Sequence, residues 1–341
     1  MTTYQYPTNS ELQLIDRELA AVLTMDDPIF GIMPIVNVNA FDLLWDIPNN
    51  ITGLTNLRGL NGQPGNVSRL GANRFKVRPG VYGEFLTIDE EEMTTRAQLG
   101  TYNIPVNVDD LVRECQDQLT NRRISLIRKI CWLLIVTGTF SIVNTTSGIV
   151  HTDTFDPQDY DASTWGTTNT ATPLADFRAV KLKQRGHGVS FGRQSKAFMN
   201  QTTFNYLTAN TNASDLGGKR VTGLAQPLGL TDINTVLLNE DLPTIVIQDD
   251  GYLNDSGTFV NFIADNKVVV VGYRPGGQKI ADFAIARNAN NPNVATGPYM
   301  FVNDRTQGDA KTVPPTIEVH GGFNGGPRLY YPSAIVDVDV S

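Results

Sequence analysis

Residues 51–83, ITGLTNLRGLNGQPGNVSRLGANRFKVRPGVYG, run directly into EFLTIDEEEM at 84–93 and, after a short link, into DDLVRECQDQLTNRRISLIRKICWLLIVT at 109–137. The first stretch is rich in Gly and Asn and contains no Asp or Glu, yet carries Arg58, Arg69, Arg74, Lys76 and Arg78. The second reads as a strand ending in acid, Asp89, Glu90, Glu91 and Glu92. The third is the only long helical pattern in the chain. A long basic loop cannot bury itself, because its backbone polar groups need partners. Here it is followed at once by a surface of opposite charge. That order suits a chain whose loop lies on the next copy of itself.

Within the loop, Arg74-Phe75-Lys76-Val77-Arg78 alternates and reads as one arm of a hairpin with basic residues on a face. Pro79-Gly80 marks a turn or bulge, and a strand resumes over 81–88. The segment exceeds the ~12–15 residues beyond which connections in compact domains are uncommon and usually functional or disordered. The helix at 109–137 has acid at its start, an apolar stripe of Val112, Cys115, Leu119, Ile127, Ile130 and Leu134, and Gly138 as its stop. At 1.5 Å per residue it would span roughly 40 Å and act as a spine.

Working outward, Ser10 is placed to cap an amphipathic helix over 11–23 that ends at Asp26-Asp27-Pro28. Residues 29–46 read as apolar and extended. Together these form an arm that should lie across something else. Beyond Gly138 the chain turns to Thr, Asn, Gly and Val. Strands are expected at 196–199, 244–247, 260–263, 268–271, 316–320 and 334–340, with helices at 173–185 and 200–210. Residues 252–257 read as a turn between two strand-like runs. Val268–Val271 is continuously apolar and reads as a central strand buried on both faces. The mixture is α+β.

The chain has 341 residues, 40% of them hydrophobic, which is ample for a core. A net charge of −8 and a pI near 4.9 argue against a general nucleic-acid binder. The basic loop has only Phe75 and Tyr82 as nearby stacking aromatics, fewer than single-strand binders interleave. Contact with an acidic protein surface such as Asp89–Glu92 of a neighbour is the better account. The two cysteines, Cys115 and Cys131, lie too far apart on one helix to pair, and suit a reducing cytoplasm. No signal peptide is expected, and the longest apolar run, 130–136, is too short to span a bilayer.

Chemical motifs are few. Gly188-Val189-Ser190-Phe191-Gly192 matches the nucleophile-elbow pattern beside His187, which raises a serine hydrolase as an alternative. The pattern needs strand, sharp turn and helix, whereas the next helical signal begins only near Asn200. His151, His187 and His320 lack metal-ligand spacing, and Asp249-Asp250-Gly251 lacks that of a calcium loop. The run 321–326, GGFNGG, has no phosphate-loop Lys-Ser/Thr and reads as a wide turn. No catalytic, cofactor or metal residue is expected.

The order of parts resembles the major capsid proteins of tailed bacteriophages, and is similar above all to the phage lambda head protein family. It is carried by the arm, the hairpin, the acidic strand leading to MTTRAQLG at 93–100, and the single helix ending at Thr137-Gly138. PLAD at 173–176, the stretch 200–210, NKVVVV at 266–271 and YPSAIV at 331–336 extend it through the second lobe. The resemblance implies the shell fold of the Hong Kong phage type. It would comprise an N-terminal arm (1–50), an extended loop (51–84), a peripheral domain (85–145) with the spine helix 109–137, and an axial domain (146–341), part of 245–341 returning to the peripheral domain. It implies a virion structural protein, not an enzyme. Such a subunit forms hexamers and pentamers of an icosahedral head around double-stranded DNA, assembled in the host cytoplasm. Implied partners are other copies of itself, a separate scaffolding protein, a portal, an optional decoration protein and DNA bound without sequence specificity, with no membrane and no cofactor. A shell of the same fold around a non-viral compartment is the alternative.

Overall fold

The computed structural model describes residues 7–48, 54–55, 57–58, 60–67, 71–97, 104, 106–144, 147–166, 171–209, 229–254, 256–289, 296–305 and 316–341. The chain divides into two compact units. The first is built from Met1–Leu43, Val77–Cys131 and Asp282–Arg328, and the second from Leu44–Lys76, Trp132–Ala281 and Leu329–Ser341.

The first unit begins with helix α1 (Asn9–Met25). Its cap is Thr8 and not Ser10: Thr8 Oγ1 accepts from the Glu11 N–H, and Glu11 Oε2 accepts from the Thr8 N–H at 2.8 Å. The reciprocal box satisfies two end groups at once, so it outcompetes a lone serine. Asp27 then caps a second helix, α2 (Pro28–Ile32), with Pro28 in its first turn. The stretch expected to be extended is therefore helical before strand β1 (Ile35–Asn37). Strand β4 (Gly80–Ile88) leads into helix α3 (Glu90–Thr95) and the long helix α4 (Val108–Thr137), whose last six residues belong to the second unit. Gly138 ends α4 at φ +70, where a Cβ would stand 2.7 Å from the Phe155 carbonyl oxygen.

Three strands from the end of the chain complete this unit: β13 (Ala281–Ile285), β14 (Tyr299–Asp304) and β15 (Ile317–Leu329). β15 is the hub. It pairs antiparallel with β14 and β4 and joins β13, which carries β1 in parallel. Residues 321–326, expected to be a wide turn, lie inside β15. At Gly322 a Cβ would fall against the Tyr82 carbonyl oxygen and 2.5 Å from the Tyr299 phenol oxygen. Strands and an aromatic ring press on both sides, and glycine is what lets them approach. One sheet face contributes Ile88, Met300, Ile317 and Val319 to a core shared with Leu12 of α1 and Leu111, Val112 and Leu119 of α4.

Two ion pairs, one buried and one partly buried, tie the N-terminal helices to α4. Arg123 reaches Asp16 at 2.9 Å, with Thr120 Oγ1 donating to the same carboxylate at 2.7 Å, and Arg128 meets Asp27. Gln116 adds a donation to the Leu12 carbonyl at 2.6 Å.

In the second unit, β2 (Leu43–Pro48) pairs with β3 (Ala72–Val77) as the base of the extended loop. Hairpin β5 (Thr139–Val143)–β6 (Val150–Thr154) follows α4. The main sheet has the order β7 (Gln158–Asp161), β16 (Ile335–Asp339), β12 (Lys267–Val271), β8 (Lys196–Met199), β9 (Thr244–Ile247). A 3₁₀ turn over Pro332–Ala334 precedes β16. Helices α5 (Pro173–Leu182), α6 (Gln201–Ala209) and α7 (Leu230–Asn239) give Phe177, Val180, Phe204, Leu207, Ile233 and Leu237 to one core with Ala197, Met199, Val268, Val270, Val336 and Val338. Trp132 packs against Phe198 and Phe262. β12 is the central strand buried along Val268–Val271, as its run of valines implies. Of the turn expected at 252–257, Tyr252 and Leu253 belong instead to β10 (Gly251–Leu253), which pairs antiparallel with β11 (Phe259–Asn261).

Candidate assembly surface

The acidic run does not prolong β4. Asp89 caps α3, its Oδ1 accepting from the Glu92 N–H at 2.9 Å, and Glu90, Glu91 and Glu92 fill the first turn. Negative charge there is stabilised by the unpaired N–H groups of a helix start. All four side chains remain exposed. The end of the same helix is fixed to α4, with Arg96 bonded to Glu114 at 2.6 Å.

The basic set divides. Arg74 makes a bidentate pair with Asp46 across β3 and β2, at 2.8 and 3.0 Å. The guanidinium holds the Asp46 carboxyl below the usual carboxylate range. Beside it Phe75 stacks on Trp45, ring centres 5.8 Å apart. Arg58 donates to the Gly62 carbonyl at 3.0 Å. Lys76 and Arg78 are exposed at the base of the loop, and Arg69 lies outside the described residues. Sequence reading missed Asp46 as the partner of Arg74, although the alternation of β3 requires a facing strand. It also passed over Leu54, Leu57 and Leu60, which stand almost fully in solvent, and the largely exposed Val67. Exposed leucines three residues apart form an apolar patch of the kind that interaction sites carry.

Arg58, Arg74 and Lys76 belong to the second unit, whereas Arg78 and α3 belong to the first. The sheet of the first unit offers a further surface. On its outer face Phe85, His320 and Phe301 stack in one row across β4, β15 and β14, with spacings of 5.1 and 4.8 Å. Beneath them Glu318 is held below its normal range by hydrogen bonds from His320 and Asn303 and by Arg305. On the α4 side Glu84 pairs with Arg122 at 2.6 Å, which lowers the Glu84 carboxyl. A folded pKa below the unfolded one adds stability above the unfolded value and loses it as pH falls through the folded one. The pair is more than half exposed, so Arg122→Ala is expected to cost at most about 1 kcal/mol at pH 7 and nothing near pH 2. Urea unfolding at the two pH values checks this.

The elbow pattern is not an elbow. Ser190 forms a backbone bridge with Tyr273, and the chain continues through a turn into strand β8 and not a helix. Its neighbour His187 is exposed. Among the described residues no group of three or more His, Cys, Asp or Glu could hold a metal ion, and no helix is long and apolar enough to cross a membrane. Both thiols are free; burial pushes Cys115 up to about 11 and Cys131 higher still. At pH 7.5 an aromatic disulfide reagent is expected to label neither until the protein is unfolded in guanidinium, and fast labelling of the native protein would contradict this placement.

Neither a protein-family model nor a curated protein matches the sequence. Solved structures do match over almost the whole chain. A protein named as the capsid protein of an Escherichia coli CFT073 prophage superposes with a TM-score of 0.56 at 11% identity, covering 96% of this chain and 99% of that one. A phage-related protein of Bordetella bronchiseptica RB50 gives 0.54 at 9% identity, covering 98% of both chains. The mature capsid of bacteriophage PhiM1 gives 0.50 at 11%, covering 99% and 89%. The chain has the tailed-phage capsid fold. The mixed α+β architecture of the Hong Kong phage type, expected from the order of weak motifs, is the one found.

Proposed function

We propose that the protein is the major structural subunit of a phage head. The carrying observation is the end-to-end match to a capsid subunit, with 96% and 99% of the two chains superposed. In this reading it is a virion protein and not an enzyme. Copies gather into hexamers and pentamers of an icosahedral shell around double-stranded DNA, held without sequence readout, as the net charge of −8 suits. A scaffolding protein, a portal and, in some shells, a decoration protein are the partners of assembly in the host cytoplasm. The first compact unit corresponds to the peripheral domain and the bulk of the second to the axial domain, with residues 1–50 as arm and 51–84 as extended loop.

The loop rests on a neighbouring copy near Asp89–Glu92. Arg74 is engaged by Asp46 and stiffens the hairpin, and the neighbour is met by the exposed Lys76 and Arg78 together with Arg58 and Arg69. Each exposed pair contributes only about 0–1 kcal/mol. Repetition at every interface sets register and specificity. Negative-stain microscopy of the purified protein should show closed particles of uniform diameter. Lys76→Glu with Arg78→Glu should leave a folded subunit that forms none; normal particles from that variant would sink the charge-pairing idea.

A further inference from the structure

The charges of the second unit sort by the two ends of its main sheet. Register fixes those ends: Met199 lies beside Ile247 and Val268, Lys267 beside Asp339, and Asp339 beside Asp161. This end therefore gathers Asp161 and Asp339 from the strands, Asp249 and Asp250 after β9, and Asp265 before β12. Among the described residues Lys267 opposes them, and it is bonded to Asp337 and Asp339. Asp161, Asp249, Asp250 and Asp265 are exposed and form no ion pair among the described residues.

The opposite end holds Lys196 at the start of β8, Arg193 just before it, and Arg274 just after β12. The bridge between Ser190 and Tyr273 ties the preceding segment, which carries Lys183 and Arg185 at the end of α5, to this same end. From 177 to 214 the sequence contains no acid at all. Among the described residues the carboxylates that reach this end are Asp156, Glu240 and Asp241; Arg178 pairs with Glu240 at 2.8 Å, and Asp241 is shared by Lys181 at 2.9 Å and Arg193 at 3.6 Å. Lys183 and Arg185 have no carboxylate partner among the described residues. One domain thus offers opposite, unneutralised charge at the two ends of one sheet.

We propose that this unit binds the same unit of a second copy head to tail, the basic end of one against the acidic end of the next, and that this heterologous contact closes the rings of the shell. The proposal rests on the shell reading and names the surface that sets ring formation. A contact between two different patches of the same chain repeats in one sense around an axis, so it closes if the rotation allows. Like ends repel, which rejects the inverted pairing. Because the charges are exposed, the contact weakens with ionic strength as the screening length falls from about 10 Å at 0.1 M to about 3 Å at 1 M.

The test uses two full-length variants, Lys183→Glu with Arg185→Glu and Lys196→Glu, and Asp161→Lys with Asp249→Lys and Asp250→Lys. The first has two acidic ends and the second two basic ends. Each alone is expected to stay monomeric by analytical ultracentrifugation at a concentration where the parent forms rings, with an unchanged circular dichroism spectrum. An equimolar mixture should recover six-membered rings, because alternating copies restore every contact. Five-membered rings cannot alternate and should stay absent. Assembly of either variant alone like the parent, or failure of two folded variants to assemble when mixed, overturns the proposal. If a reversal variant does not fold, Lys183→Gln with Arg185→Gln should lower the salt concentration that dissolves the rings, and an unchanged salt midpoint overturns it. If the basic-end variant assembles normally and instead loses retention of duplex DNA, that end is a nucleic-acid face and the proposal fails. A parent protein that forms no oligomer at all would refute the shell reading itself, a distinct result.

Discussion

Asp16→Ala or Arg123→Ala is expected to lower the stability of the unassembled subunit by about 3–5 kcal/mol, the usual cost of leaving one member of a buried ion pair alone. Both side chains are at most 6% exposed, and Thr120 spends its hydroxyl on the same carboxylate. With Asp16 gone, Arg123 is a positive charge inside the core between α1 and α4. With Arg123 gone, one hydrogen bond from Thr120 must hold the carboxylate. Replacing both by apolar residues of similar volume should recover most of the loss, since the pair must first repay its own desolvation. Urea denaturation of the two single variants and the double variant checks this. Losses below about 1 kcal/mol, the level of an exposed pair, would mean that water reaches the site.

Trp132→Ala should cost the second unit a similar amount, about 3–5 kcal/mol, from lost transfer energy and the cavity left behind. The indole is fully buried, stacked on Phe262 at 6.0 Å and edge-on to Phe198 at 5.4 Å. Among the described residues its N–H finds no acceptor, and an unsatisfied buried donor costs about 1–3 kcal/mol. Trp132→Phe, which keeps a ring and removes the N–H, should therefore cost far less than Trp132→Ala. Thermal unfolding of the two variants separates the cases. Equal losses would show that the N–H is satisfied and that ring size alone decides.

Features governed by local rules could be read from the sequence. The long helix followed from its stripe and its glycine stop, and β12 from four consecutive valines. What escaped were features decided by partners far along the chain. Asp16 and Asp27 look like ordinary helix-surface and turn acids until Arg123 and Arg128 are placed against them, about a hundred residues later. The glycines at 321–326 obey a turn composition, yet they serve a strand because neighbours on both sides forbid a side chain. Arg74 read as a free charge because nothing in the alternation of its own strand names Asp46. For the assembly surfaces, charge was visible and the arrangement was not. The run Asp89–Glu92 stood out, while the separation of charge between sheet ends needs strand register to be seen.

The central place of β15 also governs when the subunit can fold. The first unit draws on three separated pieces of chain, and the strand that holds them together is the last of its described strands to be made. Until the ribosome has passed residue 328, β4 has no partner and the apolar side of α4 has no sheet to cover. Such late, long-range closure is slow and leaves sticky surface exposed while synthesis continues. The nascent chain therefore cannot complete the core of the first unit until that strand has emerged, and its helix and strands wait exposed in the meantime.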